Sequence, residues 1–315
     1  METRALGKTG IAVTELCFGA LPMGPLQKNL SIEENSQIIA HALSSGINFI
    51  DTAEMYRTYE PIALAMKKTG IRPIIASKSN KKTYEGMEAA VNEALLKLGV
   101  DYIDIFHLHA ARERQNAFEL FRDALQCLKD LKARDKVKAI GISTHSAAVT
   151  ALAAENNDID IVFPIINMAG LGILDGSKED MEAAIEKCSR AGKGVYLMKV
   201  LAGGSLLSKY GEALAYARRM KGYASIAMGM TAVDEVDYNI SYFNGEEVAD
   251  ISKTSTAKKA LVFRALCKSC KKCIVACPNE AIFYDEENKA EIDKSRCLTC
   301  GYCAPACPEF AIRVV

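Results

Sequence analysis

The sequence carries no excess charge of either sign: 39 lysines and arginines stand against 39 aspartates and glutamates. A nucleic-acid partner, which calls for a basic excess or a basic face, is not expected. Long apolar runs are missing too. The longest nearly apolar stretch, IVFPIINMAGLGIL (161–174), is broken by Pro164, Asn167 and two glycines, and it falls short of the ~20 residues a membrane span needs. The opening METRALGKTG has no apolar core of a secretory signal. No G-x-G-x-x-G turn follows the first apolar run, which tells against a doubly wound dinucleotide-binding sheet. The expectation is a cytoplasmic protein with neither membrane nor nucleic acid as partner.

What is present is regular. Eight short β-rich runs recur at roughly the length of one βα unit: ELCFGAL (15–21), INFIDT (47–52), RPIIASK (72–78), YIDIFHLH (102–109), VKAIGIS (137–143), DIVFPIIN (160–167), GVYLMKV (194–200) and ASIAMGM (224–230). Helical periodicity fills the gaps, as in MEAAVNEALLKLG, FELFRDALQCLKDLKA, MEAAIEKCSRAG and EALAYARRMKG. Ser31-x-x-Glu34 reads as a capping box opening IEENSQIIAHALSSG, with Gly46 as its stop. Eight buried strands alternating with amphipathic helices predict an α/β protein built on a (β/α)8 TIM barrel, over residues 1–250, with METRALGKTGIAVTEL as a hairpin before the first strand. KTSTAKKALVFRAL (253–266) reads as one further helix.

The last fifth of the chain has a different character. Eight of the eleven cysteines lie in CKSCKKCIVACP (267–278) and CLTCGYCAPACP (297–308), each a C-x2-C-x2-C-x3-C-P run. Cys17, Cys127 and Cys188 fall on apolar positions and are expected to be core thiols. In a reducing compartment so dense a pattern points to metal. Thiolates at this spacing let one tight loop wrap three corners of a cubane while the fourth reaches a second cube, and the proline turns the chain away. Zinc also takes four thiolates, but two complete copies with both prolines favour iron and sulfide. The pattern resembles the two-cluster bacterial ferredoxin module, over roughly residues 260–315. The resemblance implies that Cys267, Cys270, Cys273 and Cys307 hold one [4Fe-4S] cluster and Cys297, Cys300, Cys303 and Cys277 the other. It also implies short strands within NEAIFYDEENKAEIDKSR and AIRVV, giving a small α+β ferredoxin-like iron–sulfur domain over 251–315.

In a barrel, chemistry gathers at the C-terminal ends of the strands. Asp51 ends the second run, Tyr56 lies in the turn after it, Lys78 ends the third and His109 the fourth. A tyrosine near a lysine that is itself paired to a carboxylate can have its phenol pKa lowered and give a proton to a carbonyl oxygen. GINFIDTAEMY, IIASK, DYIDIFHLH and VKAIGIS, in this order, resemble the aldo-keto reductase family over residues 1 to about 250. The resemblance implies Asp51, Tyr56, Lys78 and His109 as the catalytic tetrad, with His109 rather than His107 as its histidine. It implies hydride exchange between a nicotinamide nucleotide and a carbonyl or alcohol, the nucleotide lying extended across the barrel mouth. Residues implied to hold it are Ser143, Thr144, Lys199, Gly203, Gly204, Gly229 and Asn239.

The departures from the family pattern are specific. Its strand-five Ser-Asn pair is Ser143-Thr144 here, and its strand-six glutamine falls near Phe163. Its strand-seven Ser-Pro-Leu is Lys199-Val200-Leu201, followed by Ala202-Gly203-Gly204, a run suited to a pyrophosphate. Lys199 and MKVLAGG are similar to aldo-keto reductases fused to ferredoxin modules. The 2′-phosphate-binding basic residues are missing from GMTAVDEVDYN and Glu235 would repel such a group, so NADH is at least as suitable as NADPH. Arg112 and Arg114, after the fourth run, read as a solvated helix entry or a greeting for an anionic substrate. Hydride moves two electrons and a [4Fe-4S] cluster one, so a flavin mediator stays open. Three readings follow: an oxidoreductase acting on a small carbonyl or alcohol and sharing electrons with a redox partner protein; an electron-transfer protein whose barrel is a docking scaffold with a decayed nucleotide site; and a plain NAD(P)H-dependent reductase with structural clusters.

Overall fold

The apolar runs pair in the order in which they occur. The computed structural model describes residues 1–246, 248, 260–277, 279–297 and 303–314. A short antiparallel hairpin, β1 (Thr3–Ala5) with β2 (Ala12–Thr14), precedes the barrel as expected. The parallel strands are β3 (Leu16–Gly19), β4 (Phe49–Asp51), β5 (Ile74–Ser79), β6 (Ile103–Ala110), β7 (Val137–Thr144), β8 (Ile161–Pro164), β9 (Gly194–Met198) and β10 (Ser225–Gly229). Each pairs with its neighbour in sequence, and β10 closes on β3 from Ile226↔Leu16 to Gly229↔Gly19. All eight runs are strands of one closed barrel. Every residue of β3, β4, β8 and β9 is buried, because helices cover the outer face and side chains fill the inner one.

The helices begin where capping chemistry permits. Ser31 opens Ile32–Ser44: its hydroxyl accepts from Glu34 N at 3.2 Å, and the Glu34 carboxylate accepts from Ser31 N at 2.9 Å. FELFRDALQCLKDLKA divides into Ala117–Leu120 and Arg122–Ala133, with Phe121 off helical geometry between them. Three helices of the barrel lie outside the segments singled out by periodicity: Tyr59–Thr69, Ala147–Ala153 and Val233–Phe243. Cys17, Cys127 and Cys188 are fully buried, as core thiols should be.

The helix expected over 253–266 is corrected where it is described. Residues 253–259 lie outside the described residues. Of the rest, β11 (Ala260–Val262) is a strand and Arg264–Leu266 a single 3-10 turn. The module's other strands are β12 (Ile282–Tyr284), β13 (Ala290–Ile292) and β14 (Ile312–Val314), with β12 paired to β13 and β11 to β14, both antiparallel. A three-residue apolar run carries no decisive period, so pairing with β14, from Ala260↔Val314, 54 residues apart, to Val262↔Ile312, 50 apart, decides its state. The division expected near residue 250 falls among residues 249–259, outside those described.

The module is seated on the barrel mouth by one aromatic ring. Phe310, only 4% exposed, joins a small apolar cluster with Ala202, Leu206 and Ala213 of the chain after β9. Its ring lies against two glycines: a Cβ at Gly172 would meet Phe310 Cδ2 at 2.7 Å, and one at Gly203 would meet Cε1 at 2.9 Å. Phe310 itself adopts φ 57°, a left-handed conformation uncommon for a bulky residue. Arg112 adds an ion pair to Glu309 and donates to its backbone carbonyl at 3.2 Å. Phe310→Ala should therefore cost about 3 kcal/mol in urea unfolding, as for a large ring removed from a packed site. A loss below about 1 kcal/mol would show that the seat is poorly filled.

Candidate active site and cysteine centres

The closure of the barrel stacks four of the expected polar residues at one end. Asp51 is the last residue of β4 and stands beside Ala76 of β5; Lys78 pairs with His107 and His109 with Ser143 in the next two ladders. Lys78, 1% exposed, spends all three ammonium hydrogens below the mouth: Asp51 Oδ1, Asp51 Oδ2 and Thr52 O each accept at 2.7 Å. Burial alone would lower the lysine's pKa, but the charge and hydrogen bonds of Asp51 outweigh it and the pKa is raised. Burial pulls the Asp51 carboxyl upward against the lysine's charge; with both oxygens occupied by Lys78 the pair is ionised.

Tyr56 sits above this pair in the 3-10 turn Glu54–Tyr56, which Arg57 ends in a left-handed conformation. The Lys78 ammonium lies 4.9 Å from the centre of its ring, and the His109 ring meets it edge-on with centroids 6.2 Å apart. The pKa expectation is corrected here. Burial raises the Tyr56 hydroxyl above an ordinary phenol, and the lowering by Lys78 is insufficient to reverse it. The tyrosine is consequently held as the protonated phenol, the form that can donate.

Two side chains absent from the sequence reading complete the support. Tyr196, fully buried on β9, donates to Asp51 Oδ2 at 3.0 Å and meets His107 Nε2 at 2.7 Å. With its one proton on Asp51, Tyr196 accepts from His107, which fixes the imidazole as the Nε2–H tautomer. His107 fits only because position 141 lacks a side chain: a Cβ there would lie 2.1 Å from His107 Nδ1. The second side chain is His145, whose Nε2 shares a hydrogen bond with Lys199 Nζ at 2.8 Å. Phe163, the apolar residue on β8, stacks on Tyr196 at 3.8 Å with planes 12° apart.

Asp51, Tyr56, Phe163, Lys199, Gly203, Gly204 and Gly229 line a cavity of about 280 Å³ at the mouth. Ser143 and Thr144 do not reach it. Ser143 is 1% exposed, and Thr144 is spent accepting from Ser146 N at 3.0 Å. Asn239 is likewise committed elsewhere, accepting from Tyr210 Oη at 2.8 Å and donating to Glu235 O at 2.6 Å. Glu235 lines the cavity and accepts from Thr231 N at 2.7 Å. The two arginines after the fourth run are also engaged, Arg112 with Glu309 and Arg114 with Asp175.

In the module, Cys267, Cys270, Cys273 and Cys307 line one small cavity between the two cassettes. This is the set expected for one cluster, three thiols from the first cassette and the last thiol of the second. Backbone N–H groups point at sulfur: Ala290 N at 3.4 Å from Cys267 Sγ, Ala311 N at 3.3 Å from Cys307 Sγ and Ala281 N at 3.3 Å from Cys277 Sγ. Hydrogen bonds to sulfur are among the features that tune an iron–sulfur cluster. Among the described residues no three cysteine, histidine or carboxylate groups close on a point that would take a single metal ion; the thiols surround a space instead. Cys277, Cys297 and Cys303 of the second expected set are described, whereas Cys300 lies outside the described residues.

Desolvation, then the charges of Lys78 and Lys199, push the His109 pKa from 6.5 down to about 3. His107 and His145 are lowered in the same sense, again by burial first. Between those two values the unfolded chain holds the extra proton and the folded one does not. Stability is therefore complete above the unfolded pKa and is lost as pH falls towards the folded one. His109→Asn should flatten this acid-side loss by up to about 1.4 kcal/mol per pH unit between roughly pH 6 and pH 4, read by urea unfolding at stepped pH. An unchanged slope would mean that His109 takes up its proton in the folded state.

Comparison with known proteins agrees with this architecture. The aldo/keto reductase family profile matches residues 15–217, and the 4Fe-4S dicluster domain profile matches residues 266–311. L-galactose dehydrogenase of Arabidopsis thaliana is 22% identical over 296 residues, covering 76% of this chain and 88% of that protein. The uncharacterized oxidoreductase YqkF of Bacillus subtilis is 27% identical over 159 residues, covering 46% of this chain and 49% of its own length. Among solved structures, the aldo-keto reductase AKR11C1 from Bacillus halodurans superposes with a TM-score of 0.64 at 20% identity, over 79% of this chain and 93% of that one. An aldo/keto reductase from Brucella melitensis gives 0.60 at 18%, over 79% and 95%. No helix among the described residues is long and apolar enough to cross a membrane. With a family match spanning most of the barrel and a dicluster match behind it, the chain belongs to the aldo/keto reductase family of oxidoreductases and carries a C-terminal 4Fe-4S dicluster domain.

Proposed function

We propose that the protein is a cytoplasmic oxidoreductase that interconverts a small carbonyl compound and its alcohol in the barrel, over residues 1–250, and exchanges electrons with a soluble partner protein through two [4Fe-4S] clusters in residues 251–315. The observation that carries the reading is the cavity-lining Tyr56 above a fully caged, charged Lys78. In reduction, Tyr56 gives its hydroxyl proton to the carbonyl oxygen as a hydride reaches the carbon. The phenolate left behind is stabilised by Lys78 and takes a proton back from water. Asp51 keeps Lys78 charged and fixed, Tyr196 and His107 keep Asp51 in place, and neutral His109 orients the carbonyl oxygen by hydrogen bonding.

A nicotinamide nucleotide supplies the hydride when bound. Lys199, Gly203, Gly204 and Gly229, which line the cavity, would hold it, with Glu235 at the cavity disfavouring a 2′-phosphate. Ser143, Thr144 and Asn239 serve such a site from behind its wall at most. That displacement, together with Phe163 stacked on Tyr196, favours the second reading, a barrel kept as a docking scaffold for electron transfer.

Tyr56→Phe should lower carbonyl turnover by roughly 100- to 10,000-fold while leaving nucleotide affinity within twofold. Intact turnover in that variant would remove Tyr56 from the mechanism. Anaerobic addition of NADH to the reconstituted protein should bleach the clusters' visible absorption and raise their EPR signal. Reduction by dithionite alone would favour the scaffold.

A further inference from the structure

We propose that the iron–sulfur module completes the barrel's active site: Arg313, on the module's last strand, binds a carboxylate carried by the substrate, so that the compounds interconverted are oxo acids and hydroxy acids. The proposal rests on the reading of the barrel as a carbonyl oxidoreductase and names its substrate class.

Arg313 is 7% exposed, yet it lines the same cavity as Tyr56 and Lys199. Its guanidinium is held by aromatic faces, 4.1 Å from the centre of Phe263 and 6.0 Å from that of Phe310. Its Nε is buried without a hydrogen-bond partner, and no ion pair engages the guanidinium among the described residues. A cation removed from water without a counter-charge is costly, and an entering anion would relieve that cost.

The neighbouring charges sharpen the point. Lys78 is answered by Asp51 and Arg112 by Glu309, whereas Lys199 faces the neutral ring of His145. Burial and then the charges of Arg313, Arg112 and Lys78 push Lys199 far below an ordinary lysine. Arg313 is thus the cation of this wall that no carboxylate answers among the described residues. Arg313 also acts on the Tyr56 hydroxyl, which its charge lowers and which in turn supports the guanidinium. Arg313 and Tyr56 line one cavity, so an anion on the guanidinium shares that cavity with a carbonyl on Tyr56, and the anion belongs to the substrate. A guanidinium offers two parallel donors that match a carboxylate, which a lysine cannot reproduce.

The test uses anaerobic holoenzyme as wild type, Arg313→Gln and Arg313→Lys, with calorimetric titration of benzoylformate, acetophenone and NADH, and turnover of both carbonyl compounds. Benzoylformate and acetophenone share ring and carbonyl and differ by carboxylate against methyl. Wild type should prefer benzoylformate. Arg313→Gln should reduce that preference by about 10- to 100-fold, the range for one charged hydrogen-bonding group, and Arg313→Lys should restore part of it. Cluster absorption reports that the module is intact; if Arg313→Gln loses it, the comparison passes to Arg313→Lys, where a preference equal to wild type overturns the proposal. An equal loss of NADH and benzoylformate affinity overturns it in favour of a nucleotide phosphate. Absence of any preference for benzoylformate in a wild type that reduces acetophenone overturns it while leaving the carbonyl reading intact. An Arg313-dependent preference in binding, without turnover of either compound, upholds the carboxylate site and removes the carbonyl reading.

Discussion

Everything at the barrel mouth is organised around one buried ammonium group. Lys78 lies almost wholly out of water, where an unpaired charge would be intolerable, and three oxygens within 2.7 Å make it tenable. All three come from the end of β4 and the residue after it, so the pair also ties β5 to β4 at the height of the cavity floor. Its consequences spread outward. Asp51 must stay ionised and aimed, which employs Tyr196 and through it His107. His107 needs room that only glycine at position 141 leaves. Tyr56, above the ammonium, feels a charge that favours phenolate in a setting whose dryness favours phenol, and dryness prevails.

The same dryness governs the histidines. Three imidazoles lie close to cations, and burial joins those charges in keeping them neutral. Neutral rings can accept as well as donate, which is why His145 can share a hydrogen bond with the Lys199 amine. The ion pairs of the mouth are therefore unevenly distributed. Lys78 and Arg112 have carboxylates, while the wall formed by Lys199 and Arg313 has none among the described residues.

The seating of the module explains how a residue so near the C-terminus reaches the barrel's chemistry. Phe310 fills a slot between Gly172 and Gly203, and β14 then runs past the mouth, carrying Arg313 into the cavity. The two glycines come from the chain after β8 and after β9, so the slot exists only once the barrel has closed. The two parts of the chain share one cavity wall as a result.

Much of this protein was legible in its sequence. The eight apolar runs gave the barrel because buried parallel strands need continuous hydrophobic residues, a signal that is local. Ser31 and Glu34 marked a helix start for a similar reason, since a cap acts over three residues. Asp51, Tyr56, Lys78 and His109 were found because each stands next to a strand end, and the cysteine spacing named an iron–sulfur module by itself. Tertiary structure decided the rest. ALV at 260–262 is a strand because β14 lies beside it, Ser143 is shut inside the closed barrel, and Asn239 is engaged by Tyr210, 29 residues away. Tyr196, His145 and Arg313 look like unremarkable strand and loop residues until the closed barrel and the docked module put them within reach of Asp51, Lys199 and Tyr56. Sequence determines what has a local period or a fixed spacing. Which charges remain unanswered depends on residues far apart in the chain, such as Tyr56 and Arg313, which stand 257 positions apart and line one cavity, and only folding brings those together.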